Sequence, residues 1–494
     1  MASFPLLVAL FFIAVSCFLS FRRRRSLPPG PFPLPIVGNM LQLGSNPHQT
    51  FAKLSKRYGP LMSIHLGSLY TVIVSSPEMA KEILHRHGQV FSGRTIAQAV
   101  EACGHDKISM GFLPVASEWR DMRKICKEQM FSNQSMEASQ GLRRLKLLQL
   151  LDFVRKCSDE GRAVNIREAA FITTLNLMSA TLFSLQATEF DSRATMEFKE
   201  IIEGVATIIG VPNFADYFPF LRPFDPQGVK RKADVFFGKL LAKIEGYLNE
   251  RIEFRKANPN APKKDDFLET VFDIIEANDY NLKTDHFTHL MLDLFVGGTD
   301  TNTTSIEWIM SELVMNPDKM KKLKAELKSV AGEKKIVEES EMGNLPYLLA
   351  VFKEVMRIHP PGPLLLPRRA ESDQMVKGYM IPEGTQILIN VWAIGRDPSI
   401  WKNPESFEPE RFMDQKIDFK GQDYELLPFG AGRRVCPGMP LANRIIHMTV
   451  ATLVHNFDWK LEDDSTAEAD HAGELFGVAV RRAVQLRVIP MVKS

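Results

Sequence analysis

Charge is missing from the start of this chain. MASFPLLVALFFIAVSCFLSF carries no charged side chain from Met1 to Phe21, and Arg22, Arg23, Arg24 and Arg25 follow it directly. A run of that length can cross a hydrocarbon core of ~30 Å as a helix. The small-residue cleavage signal of a secretory leader is lacking as well, and the positive charge stands after the apolar stretch instead of before it. Residues 1–21 are therefore expected to be an uncleaved transmembrane anchor, with the arginines and all that follows them on the cytosolic side. Cysteine is scarce: five in 494 residues, scattered and without a C-x-x-C pair, which argues against a disulfide framework and a zinc site. An excess of positive charge is absent too, the formal net charge being +2, so nucleic acid is not an expected partner. No G-x-G-x-x-G unit and no cysteine cluster for iron–sulfur occurs, so electrons for redox chemistry must come from outside. Sequons begin at Asn133 and Asn302, and on the cytosolic side they go unglycosylated.

What is present reads as three parts. After the anchor, residues 22–39 are basic and then proline-rich (LPPGPFPLPIVGN), a stiff extended connector. Residues 40–494 contain no repeat or low-complexity tract and are expected to form one large catalytic domain, mainly α with small β-sheets. LMSIHLGSLYTVIVSS alternates around Gly67-Ser68 like a hairpin, and MVKGYMIPEGTQILINVW reads as a second region of short strands. From about Trp119 to Met356 helical periodicity dominates, with an exposed loop expected at Arg255 to Phe267. Phe214 to Phe224 (FADYFPFLRPF) concentrates aromatics and prolines in a loop that either dips into a membrane or is covered by neighbouring helices.

Chemistry concentrates in PFGAGRRVCPG, Pro428 to Gly438. A cysteine acts as a metal ligand as its thiolate, which needs nearby backbone N–H groups or cations. Gly430 and Gly432 allow tight turns, Arg433 and Arg434 supply charge, and Gly438 leaves a side-chain-free spot where a following helix can start beneath a flat ring. Upstream, HFTHLMLDLFVGGTDTNTTSIEWIMSEL is a helix-length apolar stretch that Gly297-Gly298 should interrupt, at a cost of about 1 kcal/mol per glycine. Asp300 and Thr301 follow as an acid and a hydroxyl suited to a proton relay. Trp119 and Arg123 stand four apart on one helix face, and Glu354 and Arg357 three apart on another.

The spacing of Phe429, Gly432, Arg434, Cys436 and Gly438 resembles the haem-binding signature of the cytochrome P-450 monooxygenases. That resemblance implies the family's fold and haem b, with Cys436 as axial metal ligand, Phe429 packed beside its sulfur and Gly438 under the ring. It implies propionate donors at Arg94, Trp119, Arg123, Arg368 and Arg434, and an oxygen-activating pair at Asp300 and Thr301. Glu354, Arg357 and Arg411 resemble the family's charged scaffold cluster; read as an exposed pair, Glu354 and Arg357 would contribute only ~0–1 kcal/mol. Electrons would then come from NADPH through the flavin of an NADPH-cytochrome P-450 reductase, steered by Arg120, Lys124 and Lys127, with O2 as co-substrate.

The segments that meet substrate in this family are mostly apolar here, which suits a lipophilic molecule. Over essentially the whole length the chain is similar to plant microsomal enzymes that hydroxylate abietane diterpenes. The implied reaction is ring-C oxidation of miltiradiene, abietatriene or ferruginol, at the endoplasmic reticulum membrane. A monoterpenoid or other lipophilic metabolite as substrate, a haem-thiolate isomerase or dehydratase, and a non-enzymic haem sensor are the alternatives.

Overall fold

The computed structural model describes residues 26–184, 193–264, 266–277, 280, 282–462 and 473–492. The expected anchor at residues 1–21 lies outside them; among the described residues no helix is long and apolar enough to cross a membrane.

Seven helices build the site: α1 (Ser117–Ile125), α2 (Ile166–Phe183), α3 (Arg193–Gly210), α4 (Val229–Ala257), α5 (Thr284–Met315), α6 (Pro346–Ile358) and α7 (Met439–Asn456). The central element is α5. Its N-terminal half, with Phe287, Leu290, Met291 and Phe295, packs into one apolar core with α3 and α4; its C-terminal half, with Ile306, Ile309, Met310 and Leu313, packs into a second with α6 and α7. Alongside it runs α2, in which every residue but Glu168 is buried, as expected of a helix apolar all round.

The anticipated hairpin forms β1 (Leu61–Leu66) and β2 (Leu69–Val74), turning at Gly67-Ser68. It belongs to a five-stranded sheet with β3 (Gly93–Arg94), β4 (Arg368–Arg369) and β5 (Gln386–Ile389), in the order β1-β2-β5-β4-β3. Only the β2–β5 pairing is parallel. The second strand region supplies β5 and a separate small hairpin, Gln374–Val376 with Tyr379–Ile381. The described part of the proline-rich segment lies along β1, where the Pro29 carbonyl accepts from the Ser63 N–H at 2.8 Å and Gly38 bridges Leu66. Arg255 to Phe267 does connect two helices: α4 ends at Ala257 and the next helix starts at Phe267.

One expectation needs correction: Gly297-Gly298 does not interrupt α5, which runs unbroken over 32 residues. Glu354 and Arg357, read as scaffold residues, form a buried pair: both side chains are 0% accessible, with Arg357 Nε and a terminal nitrogen each 2.8 Å from the carboxylate. Arg411 Nε and the Glu408 N–H add bonds to Glu354 at 3.0 and 2.8 Å, while Arg357 also donates to the carbonyls of Gly395, Pro404 and Ser406. The cluster thus clamps α6 to the 395–411 segment that leads toward Cys436.

Removing one partner of a buried pair strands the other charge, at a cost of about 3–5 kcal/mol. Glu354→Ala should therefore lower the urea unfolding midpoint of the full-length protein by an amount of that order, whereas Glu405→Ala, whose partner Arg396 meets it at an exposed carboxylate, should shift it by less than about 1 kcal/mol.

Candidate functional site

Cys436 sits where a tight loop meets the N-terminus of α7. Its N–H donates to the Phe429 carbonyl at 2.9 Å, closing a turn in which Gly430 and Gly432 both have φ of +69°. Gly432 is obligatory on a second ground, since a Cβ there would lie 2.2 Å from the Leu84 carbonyl oxygen. Gly438 is the N-cap of α7, and a Cβ on it would be 3.9 Å from Cys436 Sγ. Burial pushes the thiol up; the N–H groups of Gly438 and Met439 and the Arg123 charge pull it back. Phe429 packs on Phe419, ring centroids 5.7 Å apart, and faces Phe352 of α6 at 6.5 Å.

Around this loop guanidinium groups converge. Arg94 and Arg368 stand directly opposite each other in the β3–β4 register, a destabilising placement for like charges. Arg368 donates to the carbonyls of Phe91 and Ala431, each at 3.3 Å. Arg434 donates to those of Ser92 at 3.1 Å, Met110 at 3.3 Å and Leu113, and Arg94 to those of Gly111 at 3.0 Å and Leu366 at 2.8 Å. Desolvation and the neighbouring cation Arg434 bring Arg368 down to about 10; Arg434 itself falls to about 10, chiefly by desolvation, and Arg94 is also lowered, by desolvation and by both other arginines. Among the described residues none of Arg94, Arg123, Arg368 and Arg434 forms a salt bridge.

Trp119 joins this group through its ring, which has the Arg434 guanidinium 5.0 Å from its centroid and that of Arg123 at 5.6 Å. Its indole N–H is already given to the Met110 carbonyl at 3.1 Å, and Arg123 donates to Val435, next to the cysteine, at 2.8 Å.

On α5, side chains replace what the glycines omit. Thr299, Thr301, Asn302, Thr303 and Ser305 each donate to the carbonyl four residues back, Thr301 to Gly297 at 2.6 Å and Asn302 to Gly298 at 2.7 Å. The two glycines differ: a Cβ on Gly298 would strike Met178 of α2 at 2.8 Å, while one on Gly297 would meet nothing within 4 Å. Asp300 is not a free acid at this site. Arg167 of α2 donates to it at 2.8 Å and reaches Glu307 at 3.5 Å, and burial raises the Glu307 pKa. Sequence reasoning missed Arg167. Its signal was an arginine in the first turn of an otherwise apolar helix, IREAAFITTLNLMSATLF.

A set of largely buried cations that forms no salt bridge among the described residues, set beside a cysteine at a helix N-terminus, has the donor chemistry for a flat metal complex bearing carboxylates. Residues 28–483 match the family model described as Cytochrome P450. The chain belongs to the cytochrome P450 family. It is 86% identical over 495 residues to a ferruginol synthase of Salvia miltiorrhiza, with all of both chains covered. A sugiol synthase of the same plant is 76% identical over 491 residues, 99% of each chain, and a carnosic acid synthase of Rosmarinus officinalis 50% identical over 469 residues, 94% of this chain and 93% of the other. As a cytochrome P450 it uses haem iron and takes electrons from NADPH through a reductase.

The donor set fits haem, with Cys436 available to the iron and the arginines to the propionates. Cys436→Ser should abolish the thiolate-type spectrum of the reduced CO adduct, and an unchanged spectrum would rule that ligand out. A hydrogen bond to a charged group contributes about 1.5–3 kcal/mol, so Arg368→Met should speed haem transfer to an apo-haem acceptor by about 10- to 100-fold.

Proposed function

We propose that this cytochrome P450 is a membrane-anchored monooxygenase that hydroxylates an abietane diterpene on ring C, acting on miltiradiene, abietatriene or ferruginol. The observation that carries the substrate class is full-length identity of 86% to a protein named ferruginol synthase, with sugiol and carnosic acid synthases among its other relatives. Bound haem would supply the chemistry: O2, two electrons and two protons are consumed, one oxygen atom enters a substrate C–H bond and the other leaves as water.

The protein's own residues hold and orient. In this reading Cys436 would hold the haem iron, with Phe429 beside its sulfur and Gly438 leaving room for the ring. Arg94, Arg368 and Arg434 would neutralise the propionates, with Trp119 and Arg123 beside them. Thr301 and Asp300 would manage protons from α5. Arg167 donates to Asp300 at 2.8 Å, so Asp300 would move protons by turning from Arg167 toward water.

The domain reading follows: residues 1–21 as anchor, 22–39 as linker and 40–494 as catalytic domain, single-pass in the endoplasmic reticulum membrane and facing the cytosol. Supporting it, an apolar surface lies next to the linker. Phe32, Ile36, Leu41, Phe220 and Phe224 are each at least 70% exposed, and Leu34, Ile36 and Phe218 line one shallow groove. The Phe214 to Phe224 segment is held there by Ser68, whose N–H and hydroxyl both donate to the Tyr217 carbonyl. Exposed aromatics at that density suit a lipid surface better than water. Arg120, Lys124, Lys127 and Arg433 are exposed near the cysteine side, which suits docking of an NADPH-cytochrome P-450 reductase.

Incubating the full-length enzyme in membranes with a plant reductase, NADPH and a panel of abietane olefins and phenols should give products heavier by one oxygen, dependent on every component. Conversion without reductase would identify an isomerase or dehydratase instead. Tight binding without product or NADPH consumption would identify a sensor.

A further inference from the structure

One titratable cluster takes no part in the chemistry above. Asp293, on α5, accepts from two donors of the loop that follows β3, the Ser109 hydroxyl at 2.7 Å and the Gly111 N–H at 3.3 Å, the latter shared with Ser109 Oγ at 3.0 Å, and its carboxylate lies 3.0 Å from His105 Nε2. His105 also meets His289, one turn earlier on α5, Nδ1 to Nδ1 at 2.8 Å with the rings stacked 5.1 Å apart. His105, Ser109 and His289 are buried. Burial, then the neighbouring His105, push His289 down to about 4, so near neutral pH it is an uncharged ring. An uncharged His289 can donate its Nδ1–H to His105 Nδ1.

The same loop is tied at its other end to the arginine cluster. The Met110 carbonyl accepts from Trp119 and Arg434, the Leu113 carbonyl from Arg434 and the Gly111 carbonyl from Arg94. Gly111 is therefore a one-residue bridge, its N–H on Asp293 and its carbonyl under Arg94. Asp293 precedes Gly297 and Thr301 by one and two steps of four residues, which puts it on their face of α5, about 6 and 12 Å back along the axis. The loop His105 to Leu113 thus spans from the oxygen-side helix to the propionate-side arginines, along one edge of the space that substrate must enter.

We propose that Asp293 is a positioning residue for the substrate: by seating the loop His105 to Leu113 on α5 it fixes the edge of the pocket, and so decides which ring carbon is oxidised. The proposal rests on the haem and substrate reading above. A carboxylate held by two donors of one loop and set beside its His105 ring makes a rigid seat, and an amide in its place must turn its NH2 toward at least one of these groups.

The test uses the full-length enzyme with Asp293→Asn and, as a milder change that removes one donor, Ser109→Ala. Haem content and the reduced-CO spectrum report integrity. Amide hydrogen exchange reports the loop, and product ratio and product formed per NADPH report positioning. We expect haem content within about 20% of the parent, exchange in the 105–113 segment about tenfold faster, and a spread of hydroxylation over neighbouring ring positions, with product per NADPH lower several-fold. Combining the two changes should add little to Asp293→Asn alone, because both act through one seat. Unchanged exchange would overturn the seat. Faster exchange with an unchanged product ratio would overturn its link to regiochemistry. If Asp293→Asn fails to hold haem, Ser109→Ala decides by the same readouts. Failure of the substrate reading is distinguishable, because it appears as no abietane product from the parent enzyme, and the exchange result still judges the seat.

Discussion

Three guanidinium groups, those of Arg94, Arg368 and Arg434, approach one another inside this protein with no carboxylate bonded to them. Like charges in a poorly solvated place are held only where the surrounding structure over-determines them, and here backbone carbonyls do so. Seven acceptors, on Phe91, Ser92, Met110, Gly111, Leu113, Leu366 and Ala431, fix the three forks. Those carbonyls belong to four separate stretches of chain. The charge cluster can exist only when the sheet, the loop after β3 and the cysteine loop are all assembled, and a dianionic ligand relieves the repulsion that remains. Fold and cofactor binding are in this sense one equilibrium.

The same constraint explains what could be read from sequence. Cys436, its glycines and the start of α7 were legible because the whole unit lies within eleven residues, Pro428 to Gly438, and each residue's backbone demand is local: positive φ at Gly430 and Gly432, a helix N-terminus after Gly438. Hairpins were legible for the same reason. Arg167 was not, because its partner Asp300 is 133 positions away, and nothing in helical periodicity says which of many apolar helices will lie against α5. The Glu354–Arg357 spacing was visible and read as structural, but its burial was not, since that comes from residues 395–411 folding over it. Chain-distant packing decides the energy of a motif that chain-local spacing reveals.

Asp293 illustrates the point from the other side. In the sequence it is a lone acid in an apolar helix, and LMLDLFVGG gives no hint of partners. Its partners come from a loop 182 to 188 residues earlier, which is itself held by the arginine cluster. A residue that looks like a defect in an amphipathic pattern is, once folded, the link between the two sides of the pocket. Sequence logic fails at such places because local consistency has been given up there for a functional geometry.

Adjacent glycines on α5 carry that argument one step further. They differ in what a side chain would meet. On Gly298 a Cβ would press on the flexible end of the Met178 side chain of α2, which would have to shift. Gly297 is required by no neighbour, yet its carbonyl is the acceptor for Thr301 and its Cα faces open space. A glycine that packing does not demand, in the middle of an unbroken helix, costs about 1 kcal/mol relative to alanine. That cost is retained at the turn where the acid, the hydroxyl and the open position coincide.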